Sequence, residues 1–243
     1  MNRRCAGCCR LLAAAGLAAA ITSACSNPGS PSIQTSYQQV IRADLKRIVE
    51  ISTPDGSIGS GVVFDDKGDI VTNAHVVGTA TKFEVTQTAG TAPLRARLVG
   101  VSRSHDLAVI RVTSDAGDLD PVIWADSEDA QVGEVVLAMG TPYGLADTVT
   151  EGIVSATSRT VRESGTGAKP VVITNAIQTS ADINPGNSGG GMVDLNGRVL
   201  GIPTLELTDP QLGGAAAGIG FAIPSNTVTS VARQLIENGS TAS

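Results

Sequence analysis

Cysteine is missing from nearly the whole chain: all four lie at positions 5, 8, 9 and 25. A disulfide framework is therefore excluded beyond residue 25, and the fold has to rest on core packing. Aromatic residues are scarce as well, with three Phe, two Tyr and one Trp among 243 residues. The apolar content is Val, Ile, Ala and Leu, and 28 glycines accompany it. That mix suits many short strands joined by tight turns and argues against disorder. Basic charge is outnumbered, 17 to 23, so nothing points to nucleic acid, whose phosphates need clustered Lys and Arg. Histidine occurs only at 75 and 105; without a cysteine beside them no metal site is expected, and no cofactor is expected either. The apolar run at 11–21 (LLAAAGLAAAI) is too short to span a bilayer.

That run does fit the core of a signal peptide, because Arg3, Arg4 and Arg10 precede or open it. It ends in Thr22-Ser23-Ala24-Cys25, which resembles a bacterial lipobox with Cys25 as the lipidated first residue. Thr22 stands where Leu or Val is usual, and the alternative is an ordinary secretory leader with Cys25 incidental. Residues 1–24 are thus read as signal peptide, and the protein as extracytoplasmic, anchored to a membrane as a lipoprotein or else secreted. Removing the leader takes three arginines and no acid, which leaves a net charge of −9. Residues 25–37, rich in Ser, Pro and Gly over 26–36, read as a flexible tether.

From residue 38 onward, β-type runs recur at short intervals: 58–64, 70–72, 83–86, 94–101, 107–112, 135–139, 149–156, 171–178, 192–195, 199–204 and 219–223. Turn signals separate them, the strongest being Asn196-Gly197 between two apolar runs. Many short strands with little helix point to a sandwich or barrel. The acidic, turn-rich stretch 113–131 divides this region into halves of about 38–117 and 131–224. A helix is expected over 225–238. Ser225 would be its N-cap, Val228, Val231, Leu235 and Ile236 would form a stripe docked on the second half, and Gly239 would be the stop.

Three motifs carry chemistry. Residues 186–190 (GNSGG) offer a serine on a turn whose glycines permit exposed Oγ and convergent backbone N–H groups. Residues 72–77 (TNAHVV) place His75 at a strand end, and 105–110 (HDLAVI) place Asp106 at the mouth of an apolar strand. Each is weak alone: glycine-serine turns are common, and such a His or Asp is more often structural. Together they stand in the order His, Asp, Ser, the chain order of chymotrypsin and not of subtilisins or α/β-hydrolases. His75 and Asp106 fall in the first half and Ser188 in the second, which puts a cleft between two barrels.

These motifs, with 132–139 (VGEVVLAM) running into 140–144 (GTPYG), 149–155 (VTEGIVS), 178–190 (QTSADINPGNSGG) and 218–226 (GIGFAIPSN), resemble the protease domain of the HtrA/Deg family of trypsin-like serine proteases. The resemblance covers about residues 40–238. It implies an all-β, chymotrypsin-like double barrel at 38–238 with a short C-terminal helix. It also implies an ATP-independent, extracytoplasmic serine endopeptidase acting on unfolded or damaged proteins, and a homotrimer. The family commonly continues into PDZ domains after a segment like 221–226; this chain is expected to be protease domain only. It departs from the usual pattern at Ser180, Asp182 and Gly191.

Matched residue by residue, the resemblance makes Ser188 the nucleophile, His75 its base and Asp106 the orienting acid. The N–H groups of Gly186 and Ser188 form the oxyanion hole, and Ile183, Gly201, Ile202 and Thr204 bind substrate. An apolar pocket would select Val, Ala or Ile on the acyl side of the cut. Against that stands Asp182, six residues before Ser188, where trypsin-like enzymes place the acid that binds basic side chains. Asn187, a neutral amide before the serine, implies that no zymogen cleavage is needed. Two rival functions use the same residues: a chaperone-like or regulatory binding module with weak proteolysis, and an esterase.

Overall fold

The computed structural model describes residues 33–87, 92–114, 119–141, 148–163, 171–184, 186–209 and 214–239. Its first element is helix α1 (Ile33–Asp44). Six strands follow: β1 (Ile48–Ser52), β2 (Ile58–Val63), β3 (Asp69–Thr72), β4 (Lys82–Gln87), β5 (Leu94–Ser102) and β6 (Leu107–Val112). They close into a barrel in the order β1-β2-β3-β6-β5-β4. A single helical turn, α2 (Ala74–Val77), leaves the end of β3.

The second half contains β7 (Ile123–Trp124), β8 (Val135–Gly140), β9 (Thr148–Glu163), β10 (Val171–Thr179), β11 (Gly191–Asp194), β12 (Arg198–Asp209) and β13 (Gly214–Pro224). Their order is β11-β8-β9-β10-β13-β12-β7, and β11 also pairs with β12. That extra pairing joins the ends of six strands into a ring, with β7 added in parallel to β12. The architecture is the all-β double barrel expected of the sequence.

Residue alternation explains why several strands read as unbroken apolar runs. In β6, Ala108, Ile110 and Val112 point into the first barrel with Val49, Ile51, Phe83 and Val85. Leu107 and Val109 point the other way, into a core shared with Leu137, Met139, Val193 and Ile202 of the second half. In β8, Val136 instead joins the interior of the second barrel with Val154, Ile177 and Met192. Both faces of these strands are buried, so the period of two survives in direction but not in polarity.

Three expectations need correction. Helix α1 begins at Ile33, inside the stretch read as tether; from there the composition turns helix-compatible, and Val40 and Asp44 are buried. Strands β1 and β7 were not among the anticipated runs. The stretch 113–131 is more than a connector: Val122 N–H donates to Val63 (3.0 Å), Ala125 N–H donates to Val199 (3.0 Å), and Trp124 lies 6.0 Å from the Phe64 ring.

Helix α3 (Ser225–Asn238) has the expected span, but Pro224 occupies the N-cap position. Ser225 is fully buried and its hydroxyl donates to the Ala125 carbonyl (2.7 Å), so it ties the helix to the connector instead of capping it. The stripe buries Val228, Val231, Ala232 and Leu235, of which Val228, Val231 and Leu235 are each worth about 1.5–3 kcal/mol as filled core positions. It does not rest on the second barrel alone. The helix packs on β5 and β6 of the first barrel as well as on β12 and β13 of the second. Gly100 in β5 allows the approach, since a Cβ there would sit 2.8 Å from the Gly239 carbonyl carbon. Gly239 ends the helix at φ 77° with its N–H on Leu235.

The leader and Cys25 lie outside the described residues. Among those described, no helix is long and apolar enough to cross a membrane.

Candidate active site

His75 is the second residue of α2, and Asp106 lies between a 3-10 turn (Arg103–His105) and the start of β6. Asp106 adopts a left-handed conformation, φ 50° and ψ 43°, a placement that costs a non-glycine residue about 1–2 kcal/mol. Several bonds hold it there. Its carbonyl accepts from Ala74 N–H (3.1 Å) and from the Asn73 side-chain amide (2.9 Å).

Its carboxylate, almost wholly buried, turns toward the histidine. Oδ1 accepts from the His75 backbone N–H (3.0 Å), and Oδ2 lies 2.8 Å from His75 Nδ1. The Thr204 hydroxyl also donates to Oδ2. Three donors on one buried carboxylate fix its plane and, through it, the imidazole. His75 itself stays about half exposed. His105, the other histidine, is occupied elsewhere: its Nδ1 lies 2.9 Å from the Ser102 hydroxyl.

Ser188 sits in the turn between β10 and β11, partly exposed between buried neighbours. Its carbonyl accepts from Ser60 N–H on β2 (3.1 Å), and Gly189 N–H donates to Pro203 (3.1 Å). Gly189 has φ 82°, and a Cβ on it would lie 2.3 Å from the Ser60 carbonyl, 2.4 Å from Thr72 Oγ1 and 3.2 Å from Asn73 N. Only glycine lets the serine turn press this closely on the strand that leads to His75. The Ser188 turn is thereby drawn against the end of β3, from which α2 carries His75 toward Asp106.

Asn187 is buried and spends its amide inside the loop. Its Nδ2 donates to the Asp182 carbonyl (3.0 Å) and its Oδ1 accepts from Asn184 N–H (3.0 Å). The loop before the serine is thus closed by internal amide bonds. Gly186, in the same loop, has φ 118°, a region that is essentially glycine's alone.

The substrate-binding candidates divide. Ile183 is buried against Ala138 and Ala181, and Gly220 comes so close that a Cβ there would meet Ile183 Cγ1 at 2.3 Å. Asp182 beside it points out, exposed, while its carbonyl also accepts from Thr150 Oγ1 (2.8 Å). Gly201 is not free to receive a peptide, because it pairs with Met192 on one side and Pro224 on the other. Ile202 is fully buried in the core shared by the barrels. Thr204 serves Asp106 through its hydroxyl.

Sequence reasoning missed Ser60, Thr72 and Asn73 as parts of the site. The one sequence-level cue to Ser60 was its position between Gly59 and Gly61, since small neighbours mark where something approaches a strand closely. Among the described residues no three His, Cys, Asp or Glu side chains form a metal-binding group.

Comparison with known proteins places the chain among serine proteases. The chain is 44% identical over 184 residues to the periplasmic serine endoprotease DegP of Escherichia coli strain K12, an alignment covering 75% of this chain and 36% of DegP. It is 39% identical over 210 residues to Protease Do-like 1, chloroplastic, of Arabidopsis thaliana, covering 86% of this chain and 46% of that protein. The chain therefore spans less than half the length of these curated relatives. Among solved structures, the HtrA-type protease AlgW with a tripeptide superposes with a TM-score of 0.73 at 34% identity, covering 86% of this chain and 65% of that one. A serine endoprotease from Yersinia pestis gives 0.71 at 37%, covering 87% and 69%. The trypsin-like peptidase domain matches residues 59–202, more than half of the 243: the chain belongs to the trypsin-like peptidase family, with HtrA/Deg proteases as its relatives.

Proposed function

We propose that this domain is an extracytoplasmic serine endopeptidase that cleaves unfolded or damaged proteins through an acyl-enzyme. The observation that carries the reading is the buried Asp106 carboxylate, which meets both the backbone N–H and the ring Nδ1 of His75 on the barrel edge against which the Ser188 turn is pressed.

Ser188 Oγ attacks the scissile carbonyl as its proton passes to His75 Nε2. Asp106 holds the Nδ1–H tautomer and stabilises the imidazolium. The imidazolium then gives the proton to the leaving amine, and water, deprotonated by the same ring, releases the acid product. Gly186 and Ser188 N–H groups receive the oxyanion, a role worth about 10²–10³ in turnover per donor. The residue on the acyl side of the cut is small and aliphatic. That assignment is supported by buried Ile183 and by the outward Asp182, because an unpaired Lys or Arg would lose several kcal/mol on desolvation beside such a wall.

Attachment to the outer face of a membrane through diacylated Cys25, and assembly as a homotrimer, complete the reading. The anchor rests on the lipobox-like Thr22–Cys25, the homotrimer on the family resemblance alone.

Incubating the purified protein with a fluorophosphonate probe and with casein tests the core of this proposal. Wild type is labelled and cleaves, whereas Ser188→Ala and His75→Ala lose about 10⁶-fold in turnover. A wild-type protein that binds unfolded chains yet takes no label would instead be a binding module. Residual activity of Ser188→Ala within tenfold of wild type would remove the serine from its role.

A further inference from the structure

Ser60 lies on β2 of the first barrel, fully buried, and its backbone and hydroxyl meet the Ser188 turn and the loop before it. Its N–H holds the Ser188 carbonyl (3.1 Å). Its carbonyl accepts from Thr72 Oγ1 (2.6 Å) and closely faces Gly189. Its hydroxyl is committed at both ends: it accepts from Thr141 N–H at the end of β8 (2.9 Å) and donates to the Gly186 carbonyl. A serine hydroxyl has one proton to give, and here Gly186 receives it.

Gly186 is the residue that most needs such a partner. It carries no side chain, and its φ of 118° places it where local sterics define its rotation poorly. Gly140 admits the carbonyl to this spot, since a Cβ on Gly140 would lie 2.8 Å from the Gly186 oxygen and 2.5 Å from Asn187 Cα. At the other end of the same peptide, Asn187 N–H donates to Asn184 (3.1 Å). The Gly186–Asn187 peptide is therefore pinned on both sides, by the first barrel at its carbonyl and by the loop itself at its N–H.

We propose that Ser60 is a positioning residue for the oxyanion hole: a first-barrel hydroxyl that holds the Gly186–Asn187 peptide, which carries neither donor itself but joins the peptide bearing the Gly186 N–H to the one bearing the Ser188 N–H. The assignment rests on the reading of Gly186 and Ser188 N–H as that hole. Ser60 touches neither substrate nor the reacting atoms. It acts through Gly186, and its loss disturbs what binds the tetrahedral state more than what binds the planar substrate.

Wild type, Ser60→Ala, Ser60→Cys and the control Ser225→Ala, which removes a buried hydroxyl bonded to Ala125, are to be compared in four measurements. These are melting temperature, kcat and KM on a quenched peptide, affinity for a peptide boronic acid that forms a tetrahedral adduct, and affinity for the matching product peptide. Ser60→Ala should lose about 10- to 100-fold in kcat and in boronate affinity, with KM and product affinity within threefold. Ser60→Cys, a weaker hydrogen-bonder of similar size, should fall between, and it decides the matter if the alanine variant does not fold. Ser225→Ala should melt earlier with kcat intact. Boronate affinity within threefold of wild type in Ser60→Ala would overturn the assignment, as would an equal loss of boronate and product affinity, which marks general damage. Failure of wild type itself to react with a fluorophosphonate would refute the active-site reading, and this inference with it.

Discussion

Replacing Gly189 by alanine is the sharpest test of how the Ser188 turn is held. The new Cβ would sit 2.3 Å from the Ser60 carbonyl oxygen and 2.4 Å from Thr72 Oγ1. Neither neighbour can swing away: Ser60 is paired in β2, and both residues are fully buried. Ordinary contact begins near 3.4 Å, so the turn must withdraw by about 1 Å. The adjacent residue is Ser188, and a misplacement of that size costs on the order of 10²-fold in turnover. Left-handed strain adds about 1–2 kcal/mol of lost stability. Gly56 separates the two effects, because its φ is 89° but nothing lies within 4 Å of its missing Cβ. Gly56→Ala should therefore lose only the strain part, about 1–2 kcal/mol, and keep its activity. The assay is the rate of fluorophosphonate labelling with kcat on a peptide substrate, beside melting curves of all three proteins. If Gly189→Ala labels within threefold of wild type, the turn is not seated as described. If Gly56→Ala loses activity equally, strain alone accounts for the effect.

Thr204→Val removes one of three donors from a buried carboxylate; it should cost about 1.5–3 kcal/mol, read by calorimetry as a drop of about 5–10 °C, and a change below 1 °C would contradict it. Asp182→Ala should leave cleavage after Val, Ala or Ile unchanged when cut sites on an unfolded protein are mapped, since the side chain is exposed; cutting after Lys or Arg that disappears in the variant would reverse the pocket assignment. Burial, with Asp194 and Asp120 adding to it, raises the Asp44 carboxyl above its ordinary 3.8 against the pull of Arg47. The unfolded chain then releases this proton first, so stability falls as pH rises from about 3.8 toward the folded value. Asp44→Asn should flatten that slope in melting curves taken across the acid range; an unchanged slope would acquit Asp44.

What the sequence disclosed of the site followed chemical rarity. With two histidines in the chain, a base had only two candidates, and 105–110 and 186–190 are contiguous motifs that local reading can see. Partners distant in sequence were hidden. Thr204 meets Asp106 across 98 positions, and Ser60 meets Gly186 across 126. No local pattern encodes which strand will lie beside which turn. Ser225 shows the same limit from another side: its local context reads as a cap, but a carbonyl 100 residues away takes its hydroxyl. The stripe on α3 announced a buried face without saying which barrel would bury it. At α1 a Ser- and Pro-rich approach to Ile33 masked the helix-forming residues that follow.

The docking of α3 has a consequence for the order in which the protein can be made. Strands β5 and β6 end by Val112, yet the helix that covers them begins at Ser225. During synthesis the first barrel must therefore wait, with apolar surface open near Gly100, until the last strand of the second barrel has emerged. Contacts of such separation slow folding and lengthen exposure to aggregation. Once closed, the helix acts as a clasp, so the first barrel cannot regain water on that side without the second barrel's final segment letting go.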